Sequence, residues 1–238
     1  MEGFVFLKSQ FTKGMFHGIP IFLGYLSVSF GFGIMAVRAG LSIFQAVGIS
    51  VTNLTSAGQA AGVNIIAAGG SLIEMALTQL VINIRYALMG LSLSQRLDGK
   101  FNTLHRMIAS FGITDEIFAV SSSQPNKVTP KYMYGLIFIS FMGWTMGTFL
   151  GAAAGQLLPE AITSAMGIVL YGMFLAIIIP PAKKEKSVLT VVLVAAGISM
   201  LFHYVLTFVS GGFAVIISAV VSAGVVAFFF PVKEDDEQ

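Results

Sequence analysis

VLTVVLVAAGISMLFHYVLTFVSGGFAVIISAVVSAGVVAFFF, residues 188–230, contains no Asp, Glu, Lys or Arg. A helix that crosses a bilayer needs about 20 mostly apolar residues. The stretch is long enough for two, with Ser210-Gly211-Gly212 dividing it. Working outward, residues 21–37, 43–69, 132–157 and 161–182 are also uncharged, and 71–93 holds only Glu74 and Arg85. The pattern predicts an all-α polytopic membrane protein of about seven transmembrane helices. They fall near 19–38, 43–68, 71–93, 132–156, 161–181, 188–209 and 212–230, in one integral membrane domain over 1–238.

Composition supports this. The chain has 238 residues, 56% hydrophobic and 10% charged, with mean hydropathy +0.88. Soluble domains carry about 25% charged residues, so lipid must solvate much of this surface. A net charge of +2 gives no reason to expect a nucleic-acid partner. Cysteine is absent, which excludes disulfides, thiol catalysis and cysteine metal sites. Residues 1–17 offer no uninterrupted apolar run of a signal peptide, because Lys8, Gln10, Thr12 and Lys13 break it. They read as an interfacial amphipathic lead-in or as a frayed terminus.

Seven spans would place Arg38, Arg96, Lys100, Arg106, Lys127, Lys131, Lys183, Lys184, Lys186 and Lys233 on one side, and Lys8 and Lys13 on the other. The positive-inside rule then predicts a plasma-membrane protein with its N-terminus outside and its C-terminus in the cytoplasm. The connecting segment 94–131 reads as surface-lying or re-entrant. Shifting the chain by 119 positions sets Gly24-Tyr25 on Gly143-Trp144, and Ala46, Gly48 and Ile49 on Ala165, Gly167 and Ile168. This suggests an inverted repeat of two three-helix units, 19–93 and 132–212, with an extra helix at 212–230.

Polar residues inside spans mark function by default. The second span carries Asn53, Thr55, Ser56, Gly58, Gln59 and Asn64. Lipid offers these no partners, so the span reads either as a broken helix or as a polar packing face. In the broken form, freed amides face a substrate carboxylate and freed carbonyls an ammonium. In the third span Gln79 and Asn83 share a face, and Arg85 is a snorkelling anchor or a carboxylate ligand. Glu74, near the outer end, is expected to reach headgroups or water. Asp115 and Glu116 are either first-turn acids behind a Thr114 or Asp115 cap, or proton-coupling carboxylates. His203, placed near the middle of the sixth span, reads as structural, and Trp144 and the tyrosines as interface or packing groups. No P-loop, HExxH or GxSxG motif occurs, so no metal, nucleotide or other cofactor is expected.

Several segments together resemble the AzlC-type branched-chain amino acid exporter subunits. They are Gly18-Ile19-Pro20 with Gly24-Tyr25, Gly31-Phe32-Gly33, Ala39-Gly40-Leu41-Ser42, Ser56-Ala57-Gly58-Gln59, Asn83-Ile84-Arg85-Tyr86 and Asp115-Glu116-Ile117-Phe118-Ala119. The family's Ala-Gly-Gln stretch carries an extra residue before its Gln. The resemblance, over about 14–205, implies a large subunit that pairs with a small AzlD-type membrane subunit and exports branched-chain or other small apolar amino acids. No residue implies an ATPase partner. The expected function is therefore non-enzymatic secondary transport, with proton coupling through Asp115 or Glu116. A zwitterionic substrate would meet Asn53, Thr55, Ser56, Gly58, Gln59, Asn83 and Arg85. A passive pore, an intramembrane lipid enzyme and an assembly subunit are the alternatives. Saturable counterflow separates a carrier from a pore.

Overall fold

The computed structural model describes residues 9–157, 159, 172, 175 and 178–230. The helices named here are α1 Gln10–Arg38, α2 Ile43–Thr52, α3 Ser56–Ala67, α4 Leu72–Ser94, α5 Thr103–Phe111, α6 Asp115–Ser122, α7 Pro130–Leu157, α8 Lys186–Tyr204 and α9 Gly211–Phe229. Five of them, α1, α4, α7, α8 and α9, are long and apolar enough to cross a membrane. The span expected at 161–181 lies largely outside the described residues, as do the acidic tail and Lys233.

The chain forms two compact units, Met1–Ala60 with Asn83–Val169, and Ala61–Ile82 with Leu170–Gln238. In the first, α1 lies along α7, and glycines bring the two backbones together. A Cβ at Gly143 would sit 2.6 Å from the Phe22 carbonyl oxygen, and at Gly147 and Gly151 closer still to those of Leu26 and Phe30. Membrane helices lack a hydrophobic drive to associate, so small residues every fourth position supply van der Waals contact instead. The pairings rise together along both helices, Gly14 with Tyr132, Gly18 with Leu136 and Gly33 with Thr148. Helices α1 and α7 are therefore parallel.

That direction corrects the expected topology. Residues 43–68 do not form one spanning helix. Helix α2 starts beyond the far end of α1 and stops at Asn53, by which point Ser50 has reached Thr148 on α7. Helix α3 then returns alongside α4 in the opposite sense. Thr55 bonds Asn83, Gly62 lies against Gln79 and Met75, and Gly70 against Glu74. At about 1.5 Å per residue, α2 and α3 reach only some 15–18 Å each, half a bilayer core. Segment 94–131 is a second such excursion. Its ends meet where Asp98 N–H donates to the Val128 carbonyl at 3.0 Å and Val128 N–H to the Arg96 carbonyl at 2.9 Å. Between them α5 climbs and α6 returns, and Ile117 is fully buried in the unit's core. Residues 19–93 thus hold two crossings rather than three. Helices α1 and α7, which open the two halves of the suggested repeat, run parallel, and part of the second half, 132–212, lies outside the described residues.

In the second unit, α8 ends at Tyr204 rather than 209. His203 accordingly stands in its last turn, not mid-span, with its ring edge-on to Tyr204 at 4.7 Å. It borders an open cavity of about 440 Å³ with Ser199 and Thr207.

Candidate functional site

The two excursions turn at the same depth of the first unit. One tip is Asn53-Leu54-Thr55 and the other Gly112-Ile113-Thr114. Tyr25, Asn83 and Trp144, at the centres of α1, α4 and α7, surround them. Between the tips is a cavity of about 200 Å³, bordered by Asn53, Leu54, Thr55, Asn83, Tyr86, Ser110, Phe111 and Ile113.

Each tip is held by its own side chains. Thr55 Oγ1 accepts from Gly58 N–H at 3.3 Å, capping α3, and donates to Asn83 Oδ1 at 2.7 Å. Ser56 is the first residue of α3. Gln59 is 1% exposed, and its carboxamide is engaged at both ends. Its Nε2 donates to the Asn53 carbonyl at 2.5 Å and Ser50 Oγ at 3.3 Å, while its Oε1 accepts from Trp144 Nε1 at 3.0 Å. Helix α2 has lost its continuation at Asn53, and Gln59 supplies a donor that the ladder would have given. Of the residues expected at a ligand, Gln59 is instead engaged with the frame of the break, whereas Asn53, Thr55 and Asn83 border the cavity.

Across from it, Thr114 caps α6, accepting from Ile117 N–H at 3.4 Å. Tyr25 Oη lies 2.6 Å from both Thr114 Oγ1 and Glu116 Oε2. A phenol has one proton. It therefore donates to the carboxylate and accepts from the threonine hydroxyl, tying the middle of α1 to the start of α6. Arg85 Nη1 donates to Asp115 Oδ2 at 2.5 Å, and Nη2 to Tyr86 Oη at 3.2 Å. Arg85 is thus paired within the chain, with the Asp115 carboxylate. Tyr25 and Trp144 pack in the core as expected, and each also puts a polar atom into this network, as Tyr86 does. A mid-span aromatic with a polar handle is the signal that pointed to them.

The helix ends give the tips a charge pattern. A helix N-terminus carries a partial positive charge and a C-terminus a partial negative one. Both kinds meet here, from α3 and α6 on one hand and α2 and α5 on the other. The first turn of α3 has no acid, whereas that of α6 carries Asp115 and Glu116. Helix α3 thus keeps its positive end, while α6 has its own negative charge there. No cluster of three or more His, Asp or Glu able to hold a metal occurs among the described residues.

Glu74 is a site that the sequence reading misplaces. Expected at headgroups or water, it is 4% exposed within the second unit. Its Oε1 accepts from Ser210 Oγ at 2.6 Å and from Gly212 N–H at 2.8 Å, capping α9 from another helix. The short loop 205–210 and the glycine pair after it let α9 start against the carboxylate.

Comparison with known proteins gives a family match. Residues 20–158 match the AzlC protein family. The chain is 30% identical over 197 residues to inner membrane protein YgaZ of Escherichia coli K12, covering 79% of this chain and 80% of that protein. It is 30% identical over 179 residues to an uncharacterized membrane protein of Archaeoglobus fulgidus, 74% and 78% covered. It is 22% identical over 181 residues to the branched-chain amino acid transport protein AzlC of Bacillus subtilis, 75% and 70% covered. No solved structure matches. The chain belongs to the AzlC family of membrane proteins, a family associated with amino-acid transport.

Proposed function

We propose that this AzlC-family chain is the large subunit of a secondary transporter that exports branched-chain or other small apolar amino acids. The substrate would bind where the two hairpin tips meet. The observation that supports this most is that two pairs of half-helices break at one depth, beside a cavity with polar side chains on the break. Irregular backbone at membrane depth is tolerated where it lines a cavity, and discontinuous helices at the midplane are a common transporter device. The named Bacillus subtilis relative supplies the substrate class.

An amino acid is a zwitterion with an apolar side chain. Its carboxylate would sit at the acid-free start of α3, against Thr55, Ser56 and the amide of Gly58. Its ammonium would turn toward the Asn53 carbonyl end of α2, Asn83 and the Asp115 side of α6. Leu54, Phe111 and Ile113 would take the branched side chain. Gln59 holds the shape of the break. Arg85 balances Asp115, leaving Glu116, whose partner is a neutral phenol, as the better proton-coupling carboxylate of the two. Export would require a small AzlD-type subunit, as the family resemblance implies.

Orientation follows from the corrected topology. Lys13, Arg96, Lys100, Arg106, Lys127 and Lys131 stand at the end of the first unit where α1 and α7 begin, and Arg38 at the opposite end. By the positive-inside rule the former is cytoplasmic. The start of α1 then lies inside the cell, the reverse of the seven-span expectation. Leucine counterflow in vesicles carrying both subunits tests the function. Saturable exchange lost in Asn83→Leu supports it, and linear flux unaffected by Asn83→Leu and Thr55→Val refutes it.

A further inference from the structure

We propose that the second unit binds a dehydrated alkali cation, sodium by its preference for a few hard oxygen ligands, in the cavity beside Glu74. The cavity holds about 140 Å³ and is bordered by Asn64, Ala68, Glu74, Thr78 and Gly212 among others. Four observations converge on a positive charge.

The first is the carboxylate. Glu74 is buried, and among the described residues no Lys, Arg or His pairs with it. A buried ionised group in a membrane is costly unless matched. Among the described residues, α3 and α9 carry no titratable side chain, and His203 of α8 borders the next cavity.

The second is the use of its oxygens. Both donors, Ser210 Oγ–H and Gly212 N–H, go to Oε1. Oε2 lies toward Gly70, where a Cβ would come within 2.8 Å of it. One oxygen anchors α9, and the carboxylate keeps a second oxygen for a ligand.

The third is Thr78, one turn further along α4. It is 0% exposed, and its Oγ1 has no hydrogen-bond partner among the described residues. Residues i and i+4 of a helix share a face, and both side chains crowd Gly212, where a Cβ would lie 2.5 Å from Glu74 Oε1 and 2.9 Å from Thr78 Oγ1. An orphaned buried hydroxyl costs about 1–3 kcal/mol. A cation coordinated by its oxygen would satisfy it.

The fourth is the end of α3. Gly69, at φ +66, closes that helix, with Gly70 N–H donating to the Ile65 carbonyl at 2.8 Å. The helix's negative end therefore lies at Ala68, on the cavity wall. A carboxylate oxygen and a hydroxyl, with Asn64 and the end of α3 on the same cavity wall, offer oxygen donors, suited to hard cations and not to soft metals. A proton on Glu74 would neutralise the charge but leave the cavity and Thr78 unexplained.

The test is binding, so it stands whether or not the first unit carries amino acids. The full chain in detergent is melted in sodium chloride and in choline chloride at equal ionic strength and fixed pH. Stability should rise saturably with sodium alone. Glu74→Gln keeps an acceptor for Ser210 and Gly212 and removes the charge. Thr78→Val removes the hydroxyl and keeps the shape. Each should raise the half-maximal sodium concentration at least tenfold in protein that still elutes as one monodisperse peak. A shift shared with choline, a sodium shift unchanged in either variant, or a response to pH but not to sodium would overturn the proposal. Equilibrium binding of radioactive sodium to the same samples gives the answer independently if a variant's melting is altered for other reasons.

Discussion

Gln59→Leu removes a side chain whose two ends hold the break in the first re-entrant pair. Leucine suits lipid, so the protein should still insert. Inside, the change leaves Trp144 Nε1–H without its acceptor and the Asn53 carbonyl without its donor. Ser50 keeps its bond to Thr148 Oγ1 at 2.7 Å and loses little. Each orphaned buried group costs about 1–3 kcal/mol, so the variant loses about 2–6 kcal/mol. At roughly 2–4 °C per kcal/mol for a chain of this size, the melting temperature falls by roughly 4–24 °C. Trp144→Phe alone orphans Gln59 Oε1 and should cost about 1–3 kcal/mol plus some contact with Tyr25, whose ring lies edge-on at 5.1 Å. The double variant removes both partners of the bond. Its loss should fall short of the sum of the singles by about 0.5–3 kcal/mol. The assay is thermal melting of detergent-purified protein, read as the fraction that stays monodisperse. Strict additivity would show that the Gln59–Trp144 bond holds nothing, and that Gln59 is free to serve a ligand.

Tyr25→Phe deletes the hydroxyl between Thr114 and Glu116. Transport should drop while the protein stays folded, and its pH profile should move if Glu116 carries the coupling proton; an unchanged profile argues against that role. Gly147→Leu forces a side chain into the Leu26 carbonyl and should abolish monodisperse protein, whereas Gly197→Leu, where nothing described lies within 4 Å of the added Cβ, should not. For orientation, single cysteines are placed in a chain that has none. Asn126→Cys should be shielded from impermeant thiol reagent in intact cells and Ala39→Cys labelled, and the reverse pattern would invert the assignment.

Much of the membrane character was legible because it needs only length and charge. The 188–230 run did divide, with α9 opening at Gly211 behind Ser210, although α8 already stops at Tyr204. The polar cluster at 53–59 did mark a break. What that cluster could not reveal is the direction of the chain after it. An apolar stretch of about 25 residues has the same hydropathy whether it crosses or turns back, and only the return of Thr55 to Asn83 settles which. Topology inherits that ambiguity, because each segment that turns back changes the side on which every later basic residue falls. Asp115-Glu116 read correctly as first-turn acids behind Thr114, because capping is local. Glu74 misled for the opposite reason. Its partners, Ser210 and Gly212, are more than a hundred positions away, and nothing near it in sequence signals that they cover it. Gln59 stood out as polar, but its partner Trp144 is similarly remote.

The central claim, that amino acids bind between the tips of the two re-entrant pairs, is tested most directly by ligand protection of a thiol in the cavity. Ser110→Cys places one there, on α5 and clear of the groups that hold the tips, and Thr207→Cys places a control beside the second unit's open cavity. Both are made in the cysteine-free chain, co-expressed with the proposed small subunit, and modified by a small thiol reagent in membranes. Leucine or valine should slow modification of the Ser110→Cys variant saturably and leave the Thr207→Cys variant alone, and aspartate or lysine should protect neither. An unprotected thiol in the Ser110→Cys variant, with transport of leucine intact, would contradict the site.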